Sequence, residues 1–229
     1  MGLLNWFKGL GSHHRQALPA TFAAKKLVDI PFLAIDLELT SLDPNSAKVL
    51  SIGWVEGRNY CVDLASCFYQ VVRTKDDLQQ SPVIHGLTDE QIRQGAPVKA
   101  VVERLQSYVD SHVWVFHNAN LDVGVLSTVA TNLGLHVPTI VTLDTLKLAI
   151  YSLQKQHSVL PPNSATLAVC RDRLNLPAAP AHNALDDALA TLTLWFAQQS
   201  QLDPKAHLTL ADIQHTAGVN SISLGKPKD

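Results

Sequence analysis

Residues 31–39 read PFLAIDLEL, and the way acids are set into this apolar run decides the fold class. The run is strand-like, opened by Pro31 and closed by the turn-prone SLDPNS of residues 41–46. Its two charges, Asp36 and Glu38, stand at i and i+2, so strand alternation puts both carboxylates on one face. Residues 49–55 (VLSIGWV) read as a second strand and residues 69–72 as part of a third. Short strands in close succession imply hairpin connections and an antiparallel portion of sheet. The texture then changes. Thr88 with Gln91 three residues on has a capping-box signature, and residues 97–109 carry apolar side chains at helical spacing. Residues 113–116 form a short buried strand, and residues 122–133 a helix. Residues 140–143 make another strand, with helices over 145–153 and 165–174 and a long one over 184–199. Strands first, then helices alternating with strands, predict an α/β fold: a mixed sheet with helices on its faces.

The whole chain bounds what such a fold can do. Its 229 residues suit one sizeable domain. The expected division is an N-terminal helical appendage at 1–29, the domain at 30–199 and a polar C-terminal tail at 200–229. A composition 46% hydrophobic and 17% charged excludes disordered and fibrous classes. The net charge of −2 argues against coating a long nucleic acid, which requires a basic excess. It allows local contact with a strand end, where bound metal supplies positive charge. Three cysteines without a CxxC pair argue against a disulfide framework and for a reducing compartment. No apolar run reaches the ~20 residues that span a bilayer, and the opening MGLLNWFKGLGSHHRQ is a poor signal peptide. No membrane association and a cytoplasmic location are expected. Leu3, Leu4, Trp6, Phe7 and Leu10 suit a short amphipathic helix, with packing back onto the domain favoured over an anchoring role.

Three elements carry chemistry. Asp36 and Glu38 repel one another in an apolar setting, so a positive partner should compensate. Oxygen donors of this kind suit hard cations such as Mg²⁺ or Mn²⁺, the alternative being two solvated acids on an exposed edge. The second element is WVFHNANLDVGVL, residues 114–126, where Asp122 opens a helix after a strand. Such an acid is favoured by the helix dipole whatever its function. The third is AHNALDDALATLTLW, residues 181–195. Helical spacing alone pairs His182 with Asp186; if His182 precedes the helix in a loop, Asp187 faces the core instead.

Together these elements resemble the DEDD superfamily of 3′→5′ exonucleases in its DEDDh branch, which includes proofreading subunits, RNase T and oligoribonuclease. The matching residues are Asp36 and Glu38 in FLAIDLELTSLDP, Asp122 in HNANLD, and His182 with Asp187 in HNALDDA. VIHGLTDEQI, residues 83–92, is similar to a segment of the proofreading-type members. The resemblance covers roughly residues 30–199 and, as an ordered set, is specific. It implies a ribonuclease H-like fold with a five-stranded mixed sheet, and it selects Asp187 through the His-x4-Asp pattern. Where members often read DTETTGL this chain reads DLELTSL: Leu37 replaces Thr and points away from the carboxylates, while Ser41 replaces Gly beside the terminal nucleotide.

The implied activity is metal-dependent hydrolysis of nucleic acid from a free 3′ end, releasing nucleoside 5′-monophosphates. Two divalent ions about 3.5–4 Å apart are expected, Mg²⁺ or Mn²⁺, held by Asp36, Glu38, Asp122 and Asp187. His182 is expected to be the general base. The resemblance carries Leu37, Thr40 and His85 over as substrate contacts, a packing role being the alternative for Thr40 and His85. His117, Asn118 and Asn120 are expected to cap the following helix or orient Asp122. Asp144 reads as a helix N-cap, and Arg171 and Arg173 as a solvated face. Single-stranded DNA is the expected substrate. The alternatives are oligoribonucleotides, a non-cutting module that binds nucleic-acid ends, and another metal-dependent hydrolase on a similar sheet. No polymerase- or clamp-binding segment is recognisable in the tail, which favours a stand-alone nuclease.

Overall fold

A computed structural model describes residues 17–74, 86–180 and 182–225. The expected N-terminal amphipathic helix and His85 lie outside these residues. The chain first forms a short helix α1 (Ala20–Ala23) and then strands β1 (Phe32–Leu39), β2 (Val49–Arg58) and β3 (Cys61–Val71). Helices α2 (Asp89–Gln94) and α3 (Val98–Gln106) follow. Next come β4 (Val113–Phe116), α4 (Ala119–Asn132), β5 (Val137–Asp144), α5 (Thr145–Gln154) and α6 (Leu167–Arg173). The long helix α7 (Ala184–Leu202) and strand β6 (Val219–Leu224) complete the order.

The strands form one sheet in the order β3-β2-β1-β4-β5-β6. β1 pairs antiparallel with β2 and parallel with β4; β4 pairs parallel with β5, and β5 antiparallel with β6. The α/β class and the mixed, helix-flanked sheet are as expected. Among the described residues the sheet has six strands rather than five. The sixth comes from residues 219–224, in the stretch expected as a polar tail. VNSISL has little apolar pattern of its own, and its order comes from hydrogen bonding along β5.

β1 shows why the sheet is buried on both sides. Leu33, Ile35 and Leu37 join a core with Ile52, Trp54, Trp114, Phe116 and the apolar residues of α3 and α4. Phe32 and Ala34 join a second core with Val55, Val115, Ala188, Leu192, Trp195 and Phe196. The alternation that puts Phe32 and Ala34 against α7 also turns Asp36 and Glu38 to that side. The β2–β3 hairpin turns through Asn59 and Tyr60, both at positive φ (51° and 62°), as a two-residue primed turn requires.

The expected solvated face on α6 needs correction for Arg171. It is buried at 7% exposure. Its guanidinium donates to the carbonyls of Ala190 and Pro177 and to the Thr193 hydroxyl, at 2.8, 2.8 and 2.6 Å. α6 lies against α7 there, and the guanidinium reaches carbonyls that water would otherwise serve. Arg173 is exposed and donates to the Ser164 carbonyl.

Candidate active site

Asp36, Glu38 and Asp187 come together where β1 meets the N-terminus of α7. Each can offer one carboxylate oxygen such that all three lie within 4.8 Å of one another. Asp187 reaches this place because the helix starts late. Asn183 is the N-cap, its side chain accepting from the amides of Leu185 and Asp186. His182 therefore precedes the helix, in a left-handed conformation with φ 67°. Its backbone amide donates to Asp187 Oδ2 at 3.0 Å. The helical pairing of His182 with Asp186 does not apply, because His182 is not helical.

The approach depends on Gly53. Gly53 lies opposite Asp36 in the β1–β2 register. A Cβ built there would meet Leu185 N at 2.3 Å and the Ala184 carbonyl carbon and oxygen at 2.4 and 2.5 Å. The helix backbone thus rests directly on β2, and only glycine permits it. Nothing in the sequence singled out Gly53; within a strand it reads only as a weak position.

Asp122 enters from the other face, in the first turn of α4, at 5% exposure. The four acids act on one another. Burial raises Asp36 well above the ordinary carboxylate range, and the charges of Asp122, Asp187 and Glu38 add to this. Burial and then Asp187 push Glu38 up to about 7. Asp122 is raised well above its ordinary range by burial, with Asp144 and Glu38 adding charge repulsion. Asp187 is raised by burial, opposed by the His182 amide and side chain. Four mutually repelling carboxylates, Glu38 and Asp122 buried and Asp36 and Asp187 half-buried, are stable as anions only with positive charge among them. An all-oxygen donor set fits a hard divalent cation rather than a thiolate- or imidazole-seeking one.

The residues expected to cap the helix or orient Asp122 make other bonds. Asn118 occupies the N-cap of α4 at φ 85°, but its side chain makes no capping bond. The cap comes from Asp144, whose carboxylate accepts from the amides of Asn118 and Ala119 at 3.2 and 3.1 Å. As expected, Asp144 also caps its own helix α5 through Leu146 and Lys147. Asn120 Oδ1 accepts instead from Lys147 Nζ at 3.0 Å. His117 bonds Thr145 Oγ1 and the Ala165 carbonyl at 2.9 and 3.0 Å, and burial pushes it down to about 4. It is a neutral structural histidine.

Of the three expected substrate contacts, His85 lies outside the described residues. The Leu37 side chain, at 6% exposure, packs in the core with Ile35 and Ile52. Thr40 is half-buried after β1, its hydroxyl accepting from the Lys48 amide at 2.9 Å.

The exonuclease family model RNase_T matches residues 33–195. DNA polymerase III PolC-type of Thermotoga maritima is 26% identical over 164 residues, covering 71% of this chain and 11% of the polymerase. The chain thus spans about a tenth of the length of the curated relatives it matches first. Among solved structures, cell-death related nuclease 4 (CRN-4) superposes with a TM-score of 0.64 at 14% identity, over 76% of this chain and 64% of that one. E. coli Exonuclease I in complex with a dA16 oligonucleotide superposes with 0.63 at 18% identity, over 78% and 42%. At these identities the structural likeness establishes the fold.

Proposed function

The chain belongs to the RNase_T exonuclease family, and we propose that it is a 3′→5′ exonuclease that shortens single-stranded DNA by a two-metal hydrolysis. The observation that carries this reading is the convergence of Asp36, Glu38 and Asp187 within 4.8 Å, with Asp122 in electrostatic reach. Asp36, Glu38, Asp122 and Asp187 would hold two divalent cations, Mg²⁺ or Mn²⁺. When bound, such ions activate water and stabilise the departing 3′-oxyanion. His182 accepts the proton of the attacking water. Its backbone amide donates to Asp187 Oδ2, which ties this residue to the carboxylate cluster.

DNA as the substrate draws support from the relatives, a DNA polymerase and an exonuclease complexed with oligo-dA. The single-strand preference follows from charge: at a net −2 the chain has no basic excess with which to hold a long duplex, and a terminal base must leave its stack to reach the acids. Product release as nucleoside 5′-monophosphates follows from attack at the terminal phosphodiester. End-labelled oligonucleotides, DNA and RNA, single-stranded and blunt duplex, test the reading with Mg²⁺ or Mn²⁺. Single-stranded DNA with a free 3′ end should be cut fastest, and a 3′-blocked strand should persist. Cleavage of the blocked strand, or full activity in EDTA, refutes it.

A further inference from the structure

Asp144 and Lys147 take no part in the reaction described above, yet the N-termini of two helices converge on them. Asp144 is wholly buried at the end of β5. Its carboxylate accepts four backbone amides: Asn118 and Ala119 at the start of α4, Leu146 and Lys147 at the start of α5, at 3.0–3.3 Å. Lys147 Nζ stands 3.9 Å from Asp144 Oδ2 and donates to Asn120 Oδ1 at 3.0 Å. These links cross from α5 to the first turn of α4, the turn that carries Asp122. α4 has no capping side chain of its own, since left-handed Asn118 makes none.

We propose that Lys147, acting with Asp144, is a positioning unit that sets where the Asp122 carboxylate stands at the cation site. This rests on the reading of Asp122 as a cation ligand. A buried anion stapling two helix N-termini lies along both helix dipoles and is stabilised by them. Its own charge, however, repels Asp122. The Lys147 ammonium opposes that repulsion and adds a side-chain tether, so the α4 N-terminus has one position. Without the tether, Asn120 loses its partner and the first turn of α4 is held by the carboxylate alone.

The test is Lys147→Met in the full chain, with Mn²⁺ titrated calorimetrically in the absence of nucleic acid. Lys147 is partly exposed, so the variant should melt close to wild type. Mn²⁺ affinity should fall on the order of 10-fold, the usual scale for a group that orients a ligand. kcat should fall with KM for the oligonucleotide unchanged. Lys147→Arg should recover most of both, and Asn120→Ala, which removes the other end of the tether, should reproduce the loss. Wild-type Mn²⁺ affinity in both Lys147→Met and Asn120→Ala overturns the proposal. A raised KM with unaltered Mn²⁺ affinity also overturns it, since Lys147 would then contact the strand. Asp122→Asn, titrated alongside, separates the two readings. Unchanged Mn²⁺ binding there removes the ligand assignment itself. Loss there with retention in Lys147→Met removes only the positioning role.

Discussion

Gly53→Ala adds one methyl group where α7 touches β2, and its effect can be worked out from the contacts. The new Cβ would meet three backbone atoms of Ala184 and Leu185 at 2.3–2.5 Å, where ordinary contact begins at 3.4 Å. No side-chain rotation relieves a clash with backbone, so the N-terminus of α7 must retreat by roughly 1 Å, at a cost of about 1–3 kcal/mol. For a domain of this size that lowers the melting temperature by roughly 2–4 °C per kcal/mol. Asp187 lies two residues beyond Leu185 and moves with it, away from Asp36, which faces Gly53 across the strand pair. A 1 Å misplacement of a reacting constellation costs on the order of 10² in rate. Gly57→Ala is the control. Its Cβ meets the Leu192 and Phe196 side-chain ends at 2.8 and 2.9 Å and the Cys61 carbonyl at 2.9 Å, one turn and more along α7 from the acids. It should destabilise comparably while sparing the rate. Exonuclease rates on a labelled single strand, read with thermal melts of both variants, decide the matter. Wild-type turnover in Gly53→Ala would refute the reasoning. So would equal rate losses in the two variants.

Asp36→Asn and Asp187→Asn should each weaken Mn²⁺ binding together with turnover, whereas His182→Ala should keep Mn²⁺ affinity and lose about 10²–10⁴ in kcat. Calorimetry that finds His182→Ala as poor a Mn²⁺ binder as Asp187→Asn would make His182 a ligand rather than a base. The metal-free protein should melt at higher temperature near pH 6 than near pH 8, because a carboxyl raised in the folded state stabilises it below the ordinary carboxylate range and loses that contribution as pH rises through the folded value. For Glu38 that value is about 7, and Asp36, Asp122 and Asp187 shift in the same direction. Saturating Mg²⁺ should abolish the difference, and a melt that is flat with pH in EDTA contradicts the account. Arg171→Met should destabilise by about 1–3 kcal/mol by stripping the donors from the Pro177 and Ala190 carbonyls; urea unfolding with an unchanged midpoint would show that those bonds contribute nothing.

β1 was legible because it holds a conflict that only a functional strand tolerates: apolar residues on both faces and two acids on one. The helix starts were legible where the cap is local, as in the Thr88–Gln91 box and in Asp144 over α5. β3 was mostly missed, and the reason lies in its place at the sheet edge. Much of Cys61–Val71 is exposed or half-buried, so it lacks the alternation that marks a one-sided strand. Its turn, Asn59–Tyr60, carries none of the glycine that announces a primed turn. β6 was invisible for a related reason, since its order comes from β5, some eighty residues earlier in the chain.

The site divides along the same physical line. Asp36 and Glu38 stood out because they interrupt an apolar strand, whereas Asp122, His182 and Asp187 each have an ordinary reading at a helix start and were named through the resemblance to the DEDDh motifs. Gly53 and Lys147 could not be named, because neither conflicts with its neighbours in sequence. Gly53 is only a strand glycine until α7 is laid across it, and Lys147 only a helix lysine until Asn120 arrives from another element. Asp144 stands between the two cases. Half of its hydrogen bonds are a local cap that spacing predicts; the other half reach Asn118 and Ala119, and those give it a bearing on Asp122. A residue that positions a site acts through whatever the fold brings to it, so its role belongs to the tertiary contact. A residue that performs chemistry must carry the reactive group itself, and that group shows wherever the surrounding sequence has no structural use for it.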